Sequence, residues 1–343
     1  MKKYLSLVLV FVFLFSAQLA EAVNVSSILQ LSANTHAARQ GTYQNGTTGG
    51  TDQNVWEWEI GSGTTFTNIQ GISAVGILGA YNRTLNPAYL QAAIGTANTL
   101  KNRYNNNAPT RPFAQDVAFF ANLCSASGDN SWCTLASTLY ARVTNDFPTG
   151  AANADRYIAA RGSLAGWDVS WHIRAAMLTG NTTYALDMAN RLFAQRPVWE
   201  GVLLGGFDYT TISRNAMLWV YAPIVSLKTK TTTLRGLVLG SQGANGSWGN
   251  GDFQTTAYGL MAVASGTSTQ ERAATNAAAT FFINTATPAG GWQYVGEPEN
   301  GEVNSEIISA LSLVNDVSDN GLGSPPAFQT YGSASHSAAV PAN

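Results

Sequence analysis

Gly166-Trp167-Asp168 is followed by Arg174 and then by Ala176-Met177-Leu178; Gly206-Phe207-Asp208 is followed by Arg214 and then by Ala216-Met217-Leu218. Every matching residue lies 40 positions from its counterpart (168 to 208, 174 to 214). The pattern continues more loosely. Trp248 of Gly246-Ser247-Trp248 lies 41 positions after Phe207, and Trp292 of Gly291-Trp292 lies 44 after Trp248. A period of this length is the mark of stacked supersecondary units, each completing its core against its neighbours.

The units are helical hairpins. Apolar residues recur at helical spacing in Ile72-Val75-Leu78, in Val117-Phe120-Ala121-Cys124 and in Ile173-Ala176-Met177. Turn signals close these runs at Asn86-Pro87, Gly128-Asp129, Gly180-Asn181 and Gly266-Thr267, and a second, more polar segment follows each. Six apolar, Ala/Gly-rich helices are expected to start near Phe66, Phe113, Asp168, Asp208, Asp252 and Glu302. Six partners are expected near Val25, Asn86, Asn130, Thr182, Leu227 and Thr269. The count predicts an all-α (α/α)6 toroid of helical hairpins, apolar helices inside, with the Val25 helix closing the ring beside the last. An open solenoid of the same hairpins is the competing architecture. Gly41 to Gly63 reads as a long, unpatterned Gly/Thr/Asn-rich loop.

Bulk properties narrow the setting. The 343 residues carry 11% charged side chains and a net charge of −2, with no basic stripe, which excludes nucleic acid as a natural partner. Residues 1–22 read as a signal peptide: Lys2-Lys3, an apolar run from Leu5 to Phe15, then Ala20-Glu21-Ala22. The run is short for a bilayer, so no stable membrane span is expected after its removal. A toroid domain over 23–315 and a disordered Ser/Gly/Pro/Ala-rich tail over 316–343 complete the division, and a secreted or periplasmic location follows. In that setting Cys124 and Cys133 are expected to form a disulfide across a helix–helix turn. The two Cys and His36, His172 and His336 lack metal-ligand spacing, so no metal or other cofactor is expected.

Arg235-Gly236-Leu237-Val238-Leu239, then Gln242, then Gly246-Ser247-Trp248 resembles the QW repeat of the squalene-hopene and oxidosqualene cyclases. Thr255 to Ala262 resembles the inner helix after such repeats, and Phe281-Phe282-Ile283 with Gly290-Gly291-Trp292 resembles a second copy. The resemblance covers roughly residues 230 to 315. It implies the toroid of the terpenoid cyclases and protein prenyltransferases. The chain departs from that superfamily's chemistry: it has no Asp-x-Asp-Asp run, no Asp-Cys pair, no zinc-ligand constellation and no Gly-Cys-Gly-Glu-Gln run.

Inner-helix N-termini should share one end of the ring. Acids gather there: Glu57, Glu59, Asp116, Asp168, Asp208, Asp252, Glu302 and Glu306. So do aromatics: Trp56, Trp58, Trp167, Trp171, Tyr209, Trp248 and Trp292. Carboxylates and aromatic faces suit a carbohydrate, so Trp56, Trp58, Trp167, Trp171, Tyr209, Trp248, Asp252 and Trp292 are candidate substrate contacts. Recurrence in every unit also fits helix capping for the acids and inter-repeat packing for Trp248 and Trp292. Asp168 and His172, four apart on one helix face, form a candidate acid/base pair. Asp208 is a further candidate catalytic acid, and Tyr258 or Tyr209 as base, with Arg174 or Arg214 neutralising a uronate, offers β-elimination. The Asp168/Arg174 and Asp208/Arg214 offset of six favours pairing between units rather than on one helix. The sequence thus predicts an exported toroid that binds or cleaves a polysaccharide or another extracellular ligand, as lyase or hydrolase. A non-catalytic surface scaffold and an isoprenoid-directed cyclase relative are the alternatives, and whether the protein is an enzyme stays open.

Overall fold

The structure is a computed structural model and describes residues 24–106, 112–146 and 151–314. The expected signal peptide and tail lie outside the described residues. Six helices form an inner ring: α2 (Gln70–Thr84), α4 (Ala114–Ser127), α7 (Ala165–Leu178), α10 (Thr210–Tyr221), α12 (Phe253–Val263) and α14 (Gly301–Ser312). Each packs on the next, and α14 packs on α2, so the ring is closed. Their partners form an outer layer: α3 (Pro87–Asn106), α5 (Asn130–Asp146), α8 (Thr182–Ala194), α11 (Lys228–Gly240), α13 (Thr269–Thr285) and α1 (Val25–Ala38), which lies beside both α14 and α2. The architecture is the expected (α/α)6 toroid rather than an open solenoid.

Composition sorts the layers as physics requires. In α12 every residue but Gln254 is buried, and in α14 every residue but Ser309. Outer α11 buries only Thr231, Leu234 and Val238, a stripe at helical spacing. Short polar side chains start the helices. Asn24, Asp252 and Asn300 accept backbone N–H groups of Ser27, Thr255 and Val303, and Ser268 with Glu271 forms a capping box. Small residues let inner helices meet closely. Gly76 lies against Ser305, whose Oγ accepts the Gly76 N–H at 3.1 Å and donates to Ser73 O at 2.8 Å. A side chain at Gly76 would collide with Ser305 and part the seam between α2 and α14.

Two features depart from the sequence reading. The segment after α1 is not unpatterned: β1 (Gly41–Asn45) pairs antiparallel with β2 (Thr51–Val55) and parallel with β3 (Thr64–Thr65). Asn45 organises it, accepting from the Thr47 and Thr48 amides and donating to Asp52. The sheet is anchored to the start of α14, where Ile60 N–H donates to Glu299 O and Gly301 N–H to Trp58 O. The second departure is two helices outside the hairpin pattern: α6 (Ala151–Ala160) before the third hairpin and α9 (Arg196–Trp199) before the fourth.

Cys124 and Cys133 are bonded, their Cα atoms 5.4 Å apart, stapling α4 to α5. The bridge spans a sequence separation of 9. Loop-entropy reasoning gives the double variant Cys124→Ser/Cys133→Ser a stability loss of about 2.5 kcal/mol, readable by urea denaturation.

Candidate functional site

The six inner helices run parallel, so their N-termini form one mouth. Most acids there serve structure. Asp252 caps α12, accepting Thr255 N–H at 2.6 Å, and also accepts the Tyr294 hydroxyl at 2.7 Å. Exposed Asp208 accepts Thr210 N–H at 2.8 Å ahead of α10. Glu57 receives the Gly61 and Gly63 amides of the sheet segment. Buried Asp116 receives the Tyr104 hydroxyl. The ion pairs are not those read from the repeat. Asp168 pairs with Arg161 (2.9 Å), and Arg214 makes a two-pronged pair with Glu200 (2.8 and 3.0 Å), which also binds Arg196. The α6 and α9 insertions bring Arg161 and Glu200 into reach, and no repeat encodes them.

The aromatics divide in two. Trp56, Trp248 and Trp292 are not rim residues; all three rings are fully buried. Their indole N–H groups donate to carbonyls near outer-helix ends: His36 O (2.7 Å), Val238 O (2.8 Å) and Phe282 O (2.9 Å). Trp199 does the same with Leu192 O at 3.2 Å. Gln242 Nε2 donates to Gly246 O and to Ala274 O of α13, joining adjacent units at the Trp248 loop. Trp58 lies edge-on to Phe66 and Tyr209 beside Phe207, both partly exposed.

The second group converges on the ring axis. Trp167 meets Tyr258 edge-on at 6.1 Å, Trp171 meets Trp219 at 5.2 Å, and Trp219 meets Tyr258 at 5.9 Å. Arg174 lies over the Trp219 ring at 4.4 Å. Trp167, Trp171 and Arg174 share one face of α7 by helical spacing. Asp168 and His172 share a different face, as expected from their spacing, but it turns towards α6. Asp168 meets Arg161 there, and His172 packs edge-on to Tyr157 at 6.3 Å. The proposed acid/base pair therefore stands beside the axial site and not in it.

Under the aromatics lie two carboxyl groups. Trp171 Nε1–H donates to Tyr258 Oη at 3.0 Å, and Tyr258 O–H donates to Glu306 Oε1 at 2.9 Å. Glu302 lies one turn earlier on α14, towards the mouth, and both acids are buried. Burial pushes Glu302 up to about 7. Burial, then the Glu302 charge, pushes Glu306 well above the carboxylate range, against the opposing hydrogen bonds of Tyr258 and Gln254. Burial and the Glu306 charge raise Tyr258 far above an ordinary phenol, which favours its protonated form and opposes a role as base. Trp167, Asp252 and Gln254 are partly exposed and form the accessible lip. Away from the axis, a polar cleft of about 340 Å³ lies on the outer wall, between the β1–β2 turn and α3, with Asp52 and Arg103 among its lining residues. Among the described residues no His/Cys/Asp/Glu cluster could hold a metal.

Sequence reading missed Trp219, and it named Glu302 and Glu306 only among the rim acids. Their signal was present: two acids four apart in the otherwise uncharged Gly301–Ser312 helix.

These shifts set a pH dependence. Glu302 and Asp116 are raised, to about 7 and about 6, mainly by burial, so their contribution is complete below the ordinary carboxylate range and lost as pH rises through those values. His36, buried and stacked on Trp56 at 4.6 Å, is lowered to about 4, mainly by burial, so its contribution is lost as pH falls below the usual imidazole range. Between about pH 4.5 and 6 the single His36 gain is outweighed by the losses at Asp116, Glu302 and Glu306, so the Tm is expected to be highest near pH 4–4.5 and to fall towards pH 8. A Tm rising steadily to pH 8 contradicts this.

No protein-family model matches the chain, and no curated protein matches it in sequence. Solved structures do match in fold. A protein from Actinoplanes is 18% identical, with 84% of this chain and 98% of that chain covered and a TM-score of 0.57. A variant of the type II terpene cyclase MstE from Scytonema, in complex with geranylgeranyl dihydroxybenzoate, is 14% identical, with 86% and 98% covered and a TM-score of 0.57. The GH76A alpha-1,6-mannanase from Salegentibacter sp. HEL1_6 is 9% identical, with 84% and 98% covered and a TM-score of 0.55. At these identities the likeness is one of α/α-toroid fold.

Proposed function

We propose that the protein binds a carbohydrate at the inner-helix N-terminal mouth and cleaves a glycosidic bond there, with Glu306 as the proton donor. The observation that carries this is the axial Trp171–Tyr258–Glu306 chain: a carboxyl group kept neutral by burial, close to Trp167, the partly exposed aromatic face on which a sugar ring can stack. Glycoside hydrolysis calls for two carboxyl groups whose environments separate their protonation. Glu306 is held up further by Glu302, so Glu302 ionises first and supplies negative charge beside the bond that breaks. Trp167, Asp252 and Gln254 on the lip take the sugar's faces and hydroxyls. The mannanase neighbour becomes inactive when two adjacent aspartates are replaced. This chain contains no Asp-Asp pair, and its paired acids are Glu302 and Glu306 of α14.

A second reading rests on the same aromatics. A neutral acid facing Trp167, Trp171, Trp219 and Tyr258 also meets the needs of isoprenoid protonation, because aromatic faces stabilise cations. Export, expected from the first 22 residues, suits the glycan reading. Among the described residues no helix is long and apolar enough to cross a membrane.

The test is incubation of purified protein with a panel of polysaccharides and with a polyprenyl substrate. New reducing ends in wild type, absent in Glu306→Gln, support hydrolysis. Unsaturated products would move the reading to a lyase, and a cyclised polyprenyl product to the second reading. No turnover across the panel, with glycan binding retained, leaves a binding scaffold.

A further inference from the structure

We propose that Trp171 and Tyr258 fix the acid proton of Glu306 on Oε2, making these two residues the positioning pair of the site. This deepens the acid role assigned to Glu306 above.

The argument runs on donor and acceptor counting. An indole N–H only donates. Trp171 Nε1 lies 3.0 Å from Tyr258 Oη, so the phenol oxygen is the acceptor in that bond. The single phenol proton is then free for Glu306 Oε1 at 2.9 Å. The carbonyl oxygen of a carboxyl group is the better acceptor for that phenol O–H, which leaves the acid proton to Oε2, buried and without a hydrogen-bond partner. Gln254 also hydrogen-bonds to this carboxyl group, and the Glu302 charge acts on it. The order is enforced from one side: Trp171 cannot reverse its bond, so Tyr258 cannot reverse its own.

The arrangement prepares the transfer. Oε2 of Glu306 is buried in the free protein, so a bound sugar has to reach it past the lip residues; the Oε2–H bond then breaks and the proton passes to the glycosidic oxygen. The electron pair of the breaking C–O bond leaves with that oxygen, and Glu306 becomes a carboxylate. The bond from Tyr258 then becomes charge-assisted and stabilises the ionised acid. Tyr258 thus makes Glu306 a better acid without touching the substrate.

The experiment is infrared difference spectroscopy of the full-length protein across a pH titration, with no substrate. A protonated-carboxyl C=O band is expected in wild type and absent in Glu306→Gln. In Tyr258→Phe the band should move to higher frequency, because Oε1 loses its donor. The pH at which the band disappears should rise by about one unit, a tenfold change in the protonation equilibrium. Tyr258→Phe orphans the Trp171 N–H and can weaken folding, so Trp171→Phe/Tyr258→Phe is the companion and should give the same shift. A band that neither variant moves, or no protonated band removed by Glu306→Gln, overturns the proposal. A glycan screen without turnover removes the catalytic role yet leaves the band shift standing, so the two failures are distinguishable.

Discussion

Glu306→Gln is expected to lower turnover by about 10²–10⁴-fold, the usual contribution of a general acid, and to leave Tm at pH 8 unchanged or raised. The two halves have one cause. Glutamine preserves the shape of the side chain and can still accept the Tyr258 O–H, but it has no proton to give. At pH 8 the wild-type protein approaches ionisation of two carboxyls buried on one helix face, and the substitution removes one of them. Kinetics on whichever polysaccharide the panel identifies, beside thermal denaturation at two pH values, measures both. Activity retained within a few-fold would remove Glu306 from the chemistry. A large loss of Tm with no loss of activity would make it a packing residue.

Trp248→Ala carries the largest expected cost in stability, about 3–5 kcal/mol for truncating a buried indole. The ring is fully buried, its N–H satisfies the Val238 carbonyl, and its backbone amide meets the Thr256 hydroxyl at 3.0 Å. It also packs on Gly259 of α12, which has no side chain to stand in its way. Removing the indole therefore opens a cavity between α11 and α12, while the Val238 carbonyl keeps its bonds from Ser241. Urea denaturation should show a lower midpoint. Trp58→Ala, at a partly exposed ring, should cost far less. Equal costs for the two would contradict the packing role.

The ring was legible because its signals are local and repeated. Asn86, Asp129 and Ser268 mark helix starts by a mechanism that operates within four residues, and the 40-residue period aligns Asp168 with Asp208. The disulfide was legible for the same reason, since Gly128-Asp129 turns the chain between its two cysteines. The site was less so. Which face of α7 looks inward depends on α6, a helix inserted outside the repeat, and this turned Asp168 and His172 away from the axis. Trp248 and Trp292 resembled sugar platforms in sequence because a stapling indole and a stacking indole have the same chemistry; only burial separates them. Trp219 and Glu306 come together across the ring through α12 and share no sequence neighbourhood. The strands beside Asn45 depend on pairing over twenty residues and on a seat against α14, neither of which alternation in a Thr/Gly-rich segment reveals.

The seam at Gly76 and Ser305 joins positions 229 apart in the chain. The molecule therefore has no structural beginning: cutting any outer turn and bridging Val314 to Asn24 would leave every hairpin with the same two neighbours. The same circularity shapes how the fold is reached. Five of the six inter-hairpin contacts can grow by adding one neighbour at a time, while the sixth waits for opposite ends of the polypeptide to find each other. Long-range contacts of that kind slow folding, and here they fall on the helix that carries both axial glutamates. The Tyr258–Glu306 contact between neighbouring helices α12 and α14 needs no such closure, so the last join seals the ring around a cluster that its own neighbours have already brought together.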